Sequence, residues 1–340
     1  MNRQILALFL VIMLVLGMFS ACGGNAAGDA TPTTPEVTQP GDEGKYLKVL
    51  TIGHSLAVDC GHMLALVAAA EGYEGLTVGT LYYSGCPLNR HVQNLTNDTP
   101  DYRLYLSSTD KPNTIPATTQ SVTMQYALEL DYWDIVVMQA GVFEVAESNT
   151  YTCGDIQKIQ NYVREHVINP NVQFAWHMPW VFPTDNDLRD MYDGSSTSNP
   201  YYSGYLAYGD DRATLYNAMT KCVTDHIMTD TSFDFMIPTG TAMENALSSY
   251  WEEKQIHRDY AHATDVARVM SSYVWYCKLA GIEKLEKINL DVIPKNFFVS
   301  LTDVQDYVLT DMDKAIILES VNNALATPLK MTQSQYTVAP

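Results

Sequence analysis

Five short runs of mainly apolar and β-branched residues punctuate the chain: YLKVLTIG from Tyr46, LTVGTLYYS from Leu76, WDIVVMQAG from Trp133, VQFAWHMPW from Val172 and FDFMIPTG from Phe233. Longer segments of helical period separate them. Strands this short and this continuously apolar need cover on both faces, the condition of a parallel sheet between helices. The pattern predicts an α/β fold, three layers in α/β/α order with a mainly parallel central sheet. A chain of 340 residues, 46% of them hydrophobic, can fill such a core.

After the first run, Leu56, Cys60, Met63, Leu64, Val67 and Ala68 recur at three- and four-residue intervals up to Glu71 and Gly72, which predicts one amphipathic helix ending at a glycine. Helical period returns over 213–228, 242–251 and 263–280. It returns again over 301–326, where Val304, Tyr307, Val308, Met312, Ala315 and Ile316 share a face. The segments 89–120 and 184–211 are rich in Asn, Asp, Thr, Ser, Gly and Tyr and read as long surface loops. No repeat and no second change of composition appears. Residues 45–330 are therefore expected to form one domain, with the 301–326 helix packed on it and 331–340 as a tail.

The first 21 residues carry Arg3, an apolar stretch from Ile5 to about Phe19 and then small residues, the pattern of an export signal. Phe19-Ser20-Ala21-Cys22 resembles a bacterial lipobox, although Phe stands where Leu is usual, and makes Cys22 the expected lipidation site. An ordinary cleaved signal is the alternative. Residues 22–44, nearly devoid of large apolar side chains, suit a flexible tether. The expected location is the outer face of the cell membrane, touched only through the lipid anchor. Twenty Lys and Arg against 39 Asp and Glu give a net charge of -19, which repels phosphate backbones and excludes nucleic acid as a partner. The other cysteines, Cys60, Cys86, Cys153, Cys222 and Cys277, form no CxxC pair and read as buried small hydrophobes, with room for one disulfide.

Chemistry-bearing residues gather in two places. In KVLTIGHSLAVDC, Ser55 stands where the first strand meets its helix, at the strand end that opens into a crevice in sheets of this kind. It is either an exposed nucleophile or the N-cap of the helix. A nucleophile elbow is absent, because Ala57 occupies its second glycine position. In KQIHRDYAHATDVARVM, Asp259 and His262 lie three apart just ahead of a helix, close enough for the carboxylate to hold and orient the imidazole. The competing reading makes Asp259 a helix-start acid and His262 a satisfied polar group. His257 reads as a surface side chain. His177 follows a strand and could line the crevice. Trp180, Phe182, Tyr192, Tyr201, Tyr202, Tyr205 and Tyr208 lie in or beside one loop, where they either meet sugar rings or simply pack it. No metal-ligand spacing, phosphate-cradling loop or dinucleotide fingerprint occurs, so neither metal nor cofactor is expected.

Together, TIGHSLAVD and DYAH resemble the SGNH (GDSL-type) hydrolase superfamily. The chain is similar, in particular, to a bacterial branch of it, a domain of unknown function whose first block reads Gly-Asn-Ser-Phe. LYYSGCPLNRH, VVMQAG, FAWHMPW, IPTGTAMENA and VNNALATP resemble segments of that branch in the same order over residues 47–330. The resemblance implies Ser55 as nucleophile, His262 as base and Asp259 as the group that orients it. It also implies an oxyanion hole from the Ser55 N–H, the Gly85 N–H and a side-chain amide, for which Gln139 stands where the superfamily has Asn. Position 54 holds His where the superfamily has Asp and the branch Asn, so His54, like His177 and Trp180, is a candidate for substrate contact. The implied activity is a serine esterase forming an acyl-enzyme, with an acetylated glycan as the expected substrate. The rival is a relative that has lost catalysis and binds glycans or other solutes.

Overall fold

Each of the five apolar runs forms a strand of one sheet. The computed structural model describes residues 46–141, 143–184, 208, 211–295 and 306–339. The strands are β1 (Leu47–Gly53), β2 (Leu76–Tyr82), β5 (Ile135–Met138), β6 (Gln173–His177) and β7 (Phe235–Ile237), all mutually parallel. Side chains alternate between two cores. Val49, Ile135, Val137 and Ala175 face one, and Leu50, Ile52, Val136, Met138, Phe174 and Trp176 face the other. The first core is closed by α1 (Ser55–Ala70), α7 (Thr239–Leu247), α9 (Asp265–Leu279) and α10 (Asp311–Ala326). The second is closed by α3 (Met124–Glu129), α5 (Asp155–His166) and α6 (Arg212–Cys222). This is the predicted mixed sheet of mostly parallel strands between two helical layers.

With β3 (Arg103–Ser108) and β4 (Lys111–Pro116), the sheet order is β4-β3-β2-β1-β5-β6-β7. Chain order runs outward from β1 to β2 and then resumes on the other side of β1 at β5. The crevice between the carboxyl ends of β1 and β5 is therefore the topological switch point, where open α/β sheets bind ligands.

The segment 89–120, expected as a loop, contains α2 (Leu88–Asn97) and an antiparallel hairpin of β3 (Arg103–Ser108) and β4 (Lys111–Pro116). β3 pairs with β2, and β4 is an edge strand with Ile115 57% exposed. An edge tolerates Pro112 and Pro116 and needs little apolar content, so this strand carries almost none of the signal of its buried neighbours.

The expected 301–326 helix starts later, at Asp311, where Thr310 and Asp313 form a reciprocal capping box. Tyr307 and Val308 instead form β9, paired antiparallel with β8 (Val292–Ile293), and Val304 lies outside the described residues. The C-terminal residues are not a free tail. Thr332 N–H donates to Asn245 Oδ1 at 2.7 Å and Tyr250 N–H to Tyr336 O at 2.8 Å. The described residues all fall within one compact unit. The expected signal peptide, Cys22 and tether fall outside the described residues. Among the described residues no helix is long and apolar enough to cross a membrane.

Candidate functional site

Ser55 does not cap α1. The cap is His54, whose backbone is extended (φ -124°, ψ -163°) and whose Nδ1 accepts the Leu56 N–H at 3.4 Å. The other ring nitrogen, Nε2–H, donates to Ala140 O at 2.9 Å. With both nitrogens engaged and no exposed surface, His54 has neither a free lone pair nor an approach for substrate. Burial, partly opposed by the Ala140 hydrogen bond, pushes its pKa down to about 4, so it is neutral near pH 7. Ser55 is thereby left half-buried in the first turn of α1, and neither its hydroxyl nor its N–H bonds to a described residue.

Asp259 and His262 meet. His262 Nδ1 lies 2.9 Å from both Asp259 carboxylate oxygens, and Asp259 Oδ1 also accepts the N–H groups of Ala261 and His262 at 2.9 and 2.8 Å. Burial raises the Asp259 pKa, but the hydrogen bond and charge of His262 with the two N–H groups outweigh it and bring the carboxyl to about 2. A carboxylate on Nδ1 holds the proton there and leaves Nε2 as the base position.

The loop bearing this pair is held against α1. Asp59, one turn after Ser55 and 1% exposed, accepts Ala263 N–H at 2.9 Å, Arg258 Nη1 at 3.0 Å and Arg268 Nε at 2.9 Å. From the other side Trp180 Nε1–H donates to Ala261 O at 2.7 Å. A bridge between His257 and Ala263 and an Arg258 N–H to His262 O bond at 2.9 Å close the loop's base. His262 consequently interacts electrostatically with His54 and Asp59, the two residues that bracket Ser55.

Two further elements converge on the same end of the sheet. After β2, a turn closed by Cys86 N–H to Tyr83 O at 3.3 Å places Gly85 at φ 58°, a left-handed conformation that glycine adopts without strain. Tyr83 N–H donates to Gly53 O at 3.1 Å, which sets this turn beside the end of β1. After β5, Gln139 is buried. Its Oε1 accepts from His177 Nδ1 at 2.8 Å, while its Nε2 is buried with no partner.

Other expectations resolve differently. His177 and Trp180 are, like His54, buried and internally bonded, which leaves none of the three an exposed surface for a substrate. His257 is 1% exposed, not a surface residue, because the strand-like bridge to Ala263 turns it inward. Of the aromatic group, Phe182 stacks on Phe143 at 5.4 Å and the Tyr208 hydroxyl donates to Ala146 O at 3.0 Å. Tyr192, Tyr201, Tyr202 and Tyr205 lie outside the described residues. Cys60, Cys86, Cys222 and Cys277 are buried, Cys153 is exposed, and all five are free thiols. Asp59, Arg258 and Arg268 escaped sequence reasoning. The available signal was an acid at an otherwise apolar stretch of α1, one helical turn from the serine.

The polar side chains of this α/β/α chain thus converge on the switch point of its sheet, a class of architecture that serves both acyl transfer and plain ligand binding. Within that class the chain belongs to the DUF4886 family, a domain of unknown function whose family model matches residues 48–291. A DUF4886 family protein from Bacteroides uniformis, solved at 1.50 Å, shares the fold with a TM-score of 0.67 at 23% identity, covering 85% of this chain and 98% of that one. A candidate SGNH hydrolase of Slackia heliotrinireducens gives a TM-score of 0.40 at 14% identity, over 68% of this chain and 97% of that one. A carbohydrate esterase family 2 enzyme with a carbohydrate-binding domain, from Corynascus thermopiles, gives 0.34 at 14%, over 72% and 68%. These last two likenesses are too distant to bear on function. No curated protein matches the chain.

Proposed function

We propose that the protein is a serine esterase, exported and lipid-anchored through Cys22, that deacetylates carbohydrate. The observation that carries the catalytic reading is the Asp259–His262 pair on a loop tied through Asp59 to the helix that Ser55 begins, with Ser55 relieved of capping by His54. Ser55 Oγ adds to the ester carbonyl carbon as its proton passes to His262 Nε2. The carbonyl electron pair moves to oxygen, where the N–H groups of Ser55 and Gly85 and the Gln139 amide donate to it. Collapse breaks the bond to the alcohol, which leaves with the proton from His262. Water then repeats the addition, with His262 taking its proton and returning it to Ser55 Oγ as the acid departs. The glycan part of the reading rests on the Tyr-rich segment 192–208, and export and anchoring rest on residues 1–22.

One observation favours the rival, a glycan- or solute-binding protein: no hydrogen bond joins Ser55 to His262. Such contacts are commonly loose in unliganded sites and tighten with substrate. Hydrolysis of p-nitrophenyl acetate and labelling by a fluorophosphonate, measured for the protein and for Ser55→Ala, separate the two. Activity and label that vanish together in Ser55→Ala support the esterase. A folded protein that neither labels nor turns over refutes it.

A further inference from the structure

Gln139 presents an imbalance. A primary amide has two donor hydrogens and one acceptor oxygen, and burial without partners is unfavourable for either end. Here the oxygen is satisfied by His177 and the nitrogen is bonded to nothing, at the carboxyl end of the strand beside β1. The nitrogen also lies over Gly53, where an added Cβ would stand 2.4 Å from it. A glycine two residues before the serine therefore makes room for an amide on a side chain one methylene longer than asparagine.

His177 decides which way that amide faces. It is fully buried, packed edge-on against Trp275 at 4.9 Å, and its Nε2 lies 3.8 Å from Cys60 Sγ. Burial pushes the Cys60 thiol up, so it keeps its proton and can donate in that contact, while the Gln139 oxygen on the other side of the ring can only accept. Nε2 then accepts, Nδ1 carries the imidazole proton, and Nδ1–H donates to Gln139 Oε1. The opposite tautomer would turn the amide over and aim its oxygen at Gly53, where a developing oxyanion would be repelled.

We propose that His177 is a positioning residue: held by Cys60 in its Nδ1–H tautomer, it fixes the Gln139 amide with its nitrogen toward the end of β1 as an oxyanion donor. The proposal rests on Ser55 being the nucleophile, and its test has one arm that does not depend on activity.

That arm is long-range nitrogen–proton NMR of the imidazoles in the intact protein, with His177 assigned by its loss in His177→Asn. The Nδ1–H tautomer throughout pH 6 to 8 is expected. An Nε2–H tautomer, or titration in that range, overturns the proposal even in a protein with no esterase activity. The kinetic arm is a double-mutant cycle with p-nitrophenyl acetate. Gln139→Ala is expected to lower kcat by about 10²–10³-fold, the usual loss for one oxyanion donor. His177→Phe should lower kcat by at least about tenfold with KM little changed, and should have almost no further effect in the Gln139→Ala background. His177→Asn, which can place an N–H near the Nδ1 position, should recover most of the loss. Independent, multiplying effects of the two substitutions, or equal losses in His177→Phe and His177→Asn, overturn the proposal. Absence of fluorophosphonate labelling in the unsubstituted protein would instead count against Ser55 as nucleophile, leaving the tautomer to decide the rest.

Discussion

Replacing Asp59 with Ala tests whether the loop that bears Asp259 and His262 is held in place from α1. The carboxylate accepts one backbone N–H and hydrogen bonds from two guanidiniums, all at 2.9–3.0 Å, with its side chain 1% and that of Arg268 2% exposed. Removing one member of a buried ion pair costs about 3–5 kcal/mol, because the remaining charge stays buried. Arg268 retains Asp265 at 2.8 Å and Arg258 retains Ala263 O at 2.8 Å, which places the expected loss toward the lower end. At about 2 °C per kcal/mol for a domain of this size, the melting temperature should fall by about 6 °C. Burial raises the Asp59 pKa, but Arg268 and Arg258 more than reverse this and hold it below the ordinary carboxylate range. Its contribution is therefore complete above that range and lost as the pH falls through the folded-state value, so Asp59→Ala should also flatten the acid limb of the stability profile.

The functional consequence separates anchoring from general stability. Ile317→Ala, in the buried face of α10 and remote in sequence from the loop, should cost a comparable 2–5 kcal/mol. Assayed at 20 °C, well below both transitions, Ile317→Ala should keep its p-nitrophenyl acetate activity while Asp59→Ala loses at least about tenfold in kcat, since small misplacements of a catalytic group are costly. Equal activity in the two variants would refute the idea that Asp59 positions His262 and leave it a purely structural acid.

Four other outcomes are expected. Asp259→Asn should keep the fold but lower kcat by orders of magnitude, because an amide no longer selects the Nδ1–H tautomer of His262; kinetics beside a circular dichroism melt check it. Gly53→Ala should reproduce much of the Gln139→Ala defect, since the new Cβ would meet the Gln139 amide at 2.4 Å, and an unaffected kcat would remove the steric argument. Burial pushes His54 and His257 down to about 4 and His91 to about 3, so they stay neutral while the same residues in the unfolded chain take up protons below about 6.5. Stability should accordingly be complete above that pH and fall by about 1.4 kcal/mol per pH unit for each such imidazole toward pH 4, as acid titration of denaturant midpoints would show. Finally, Cys22→Ala should abolish incorporation of labelled palmitate in a bacterial host and release the protein from the membrane fraction.

The sequence by itself determined the architecture and half of the candidate site. Strands buried on both faces must be apolar almost throughout, so the five runs that form β1, β2, β5, β6 and β7 announced themselves, and the serine at the end of β1 came with them. The pairing of Asp259 with His262 was equally local, because residues three apart on a tight turn are neighbours whatever surrounds them. The exposed β3–β4 hairpin was invisible for the opposite reason: an edge strand carrying prolines and polar residues has the composition of a loop.

Only the tertiary structure decided which residue caps α1. Locally Ser55 was the obvious choice, but the carbonyl of Ala140, 86 positions away, engages one nitrogen of His54 and leaves the other to take the cap. Asp59 with Arg258, Arg268 and Ala263, and His177 with Gln139 and Cys60, are likewise joined across 38 to 209 positions. Such pairings follow from the need of each buried polar group to find a partner, which imposes no period and no fixed spacing on a sequence. Backbone geometry writes itself into the order of residues, whereas the satisfaction of buried charge and hydrogen bonds is settled only when distant segments pack together.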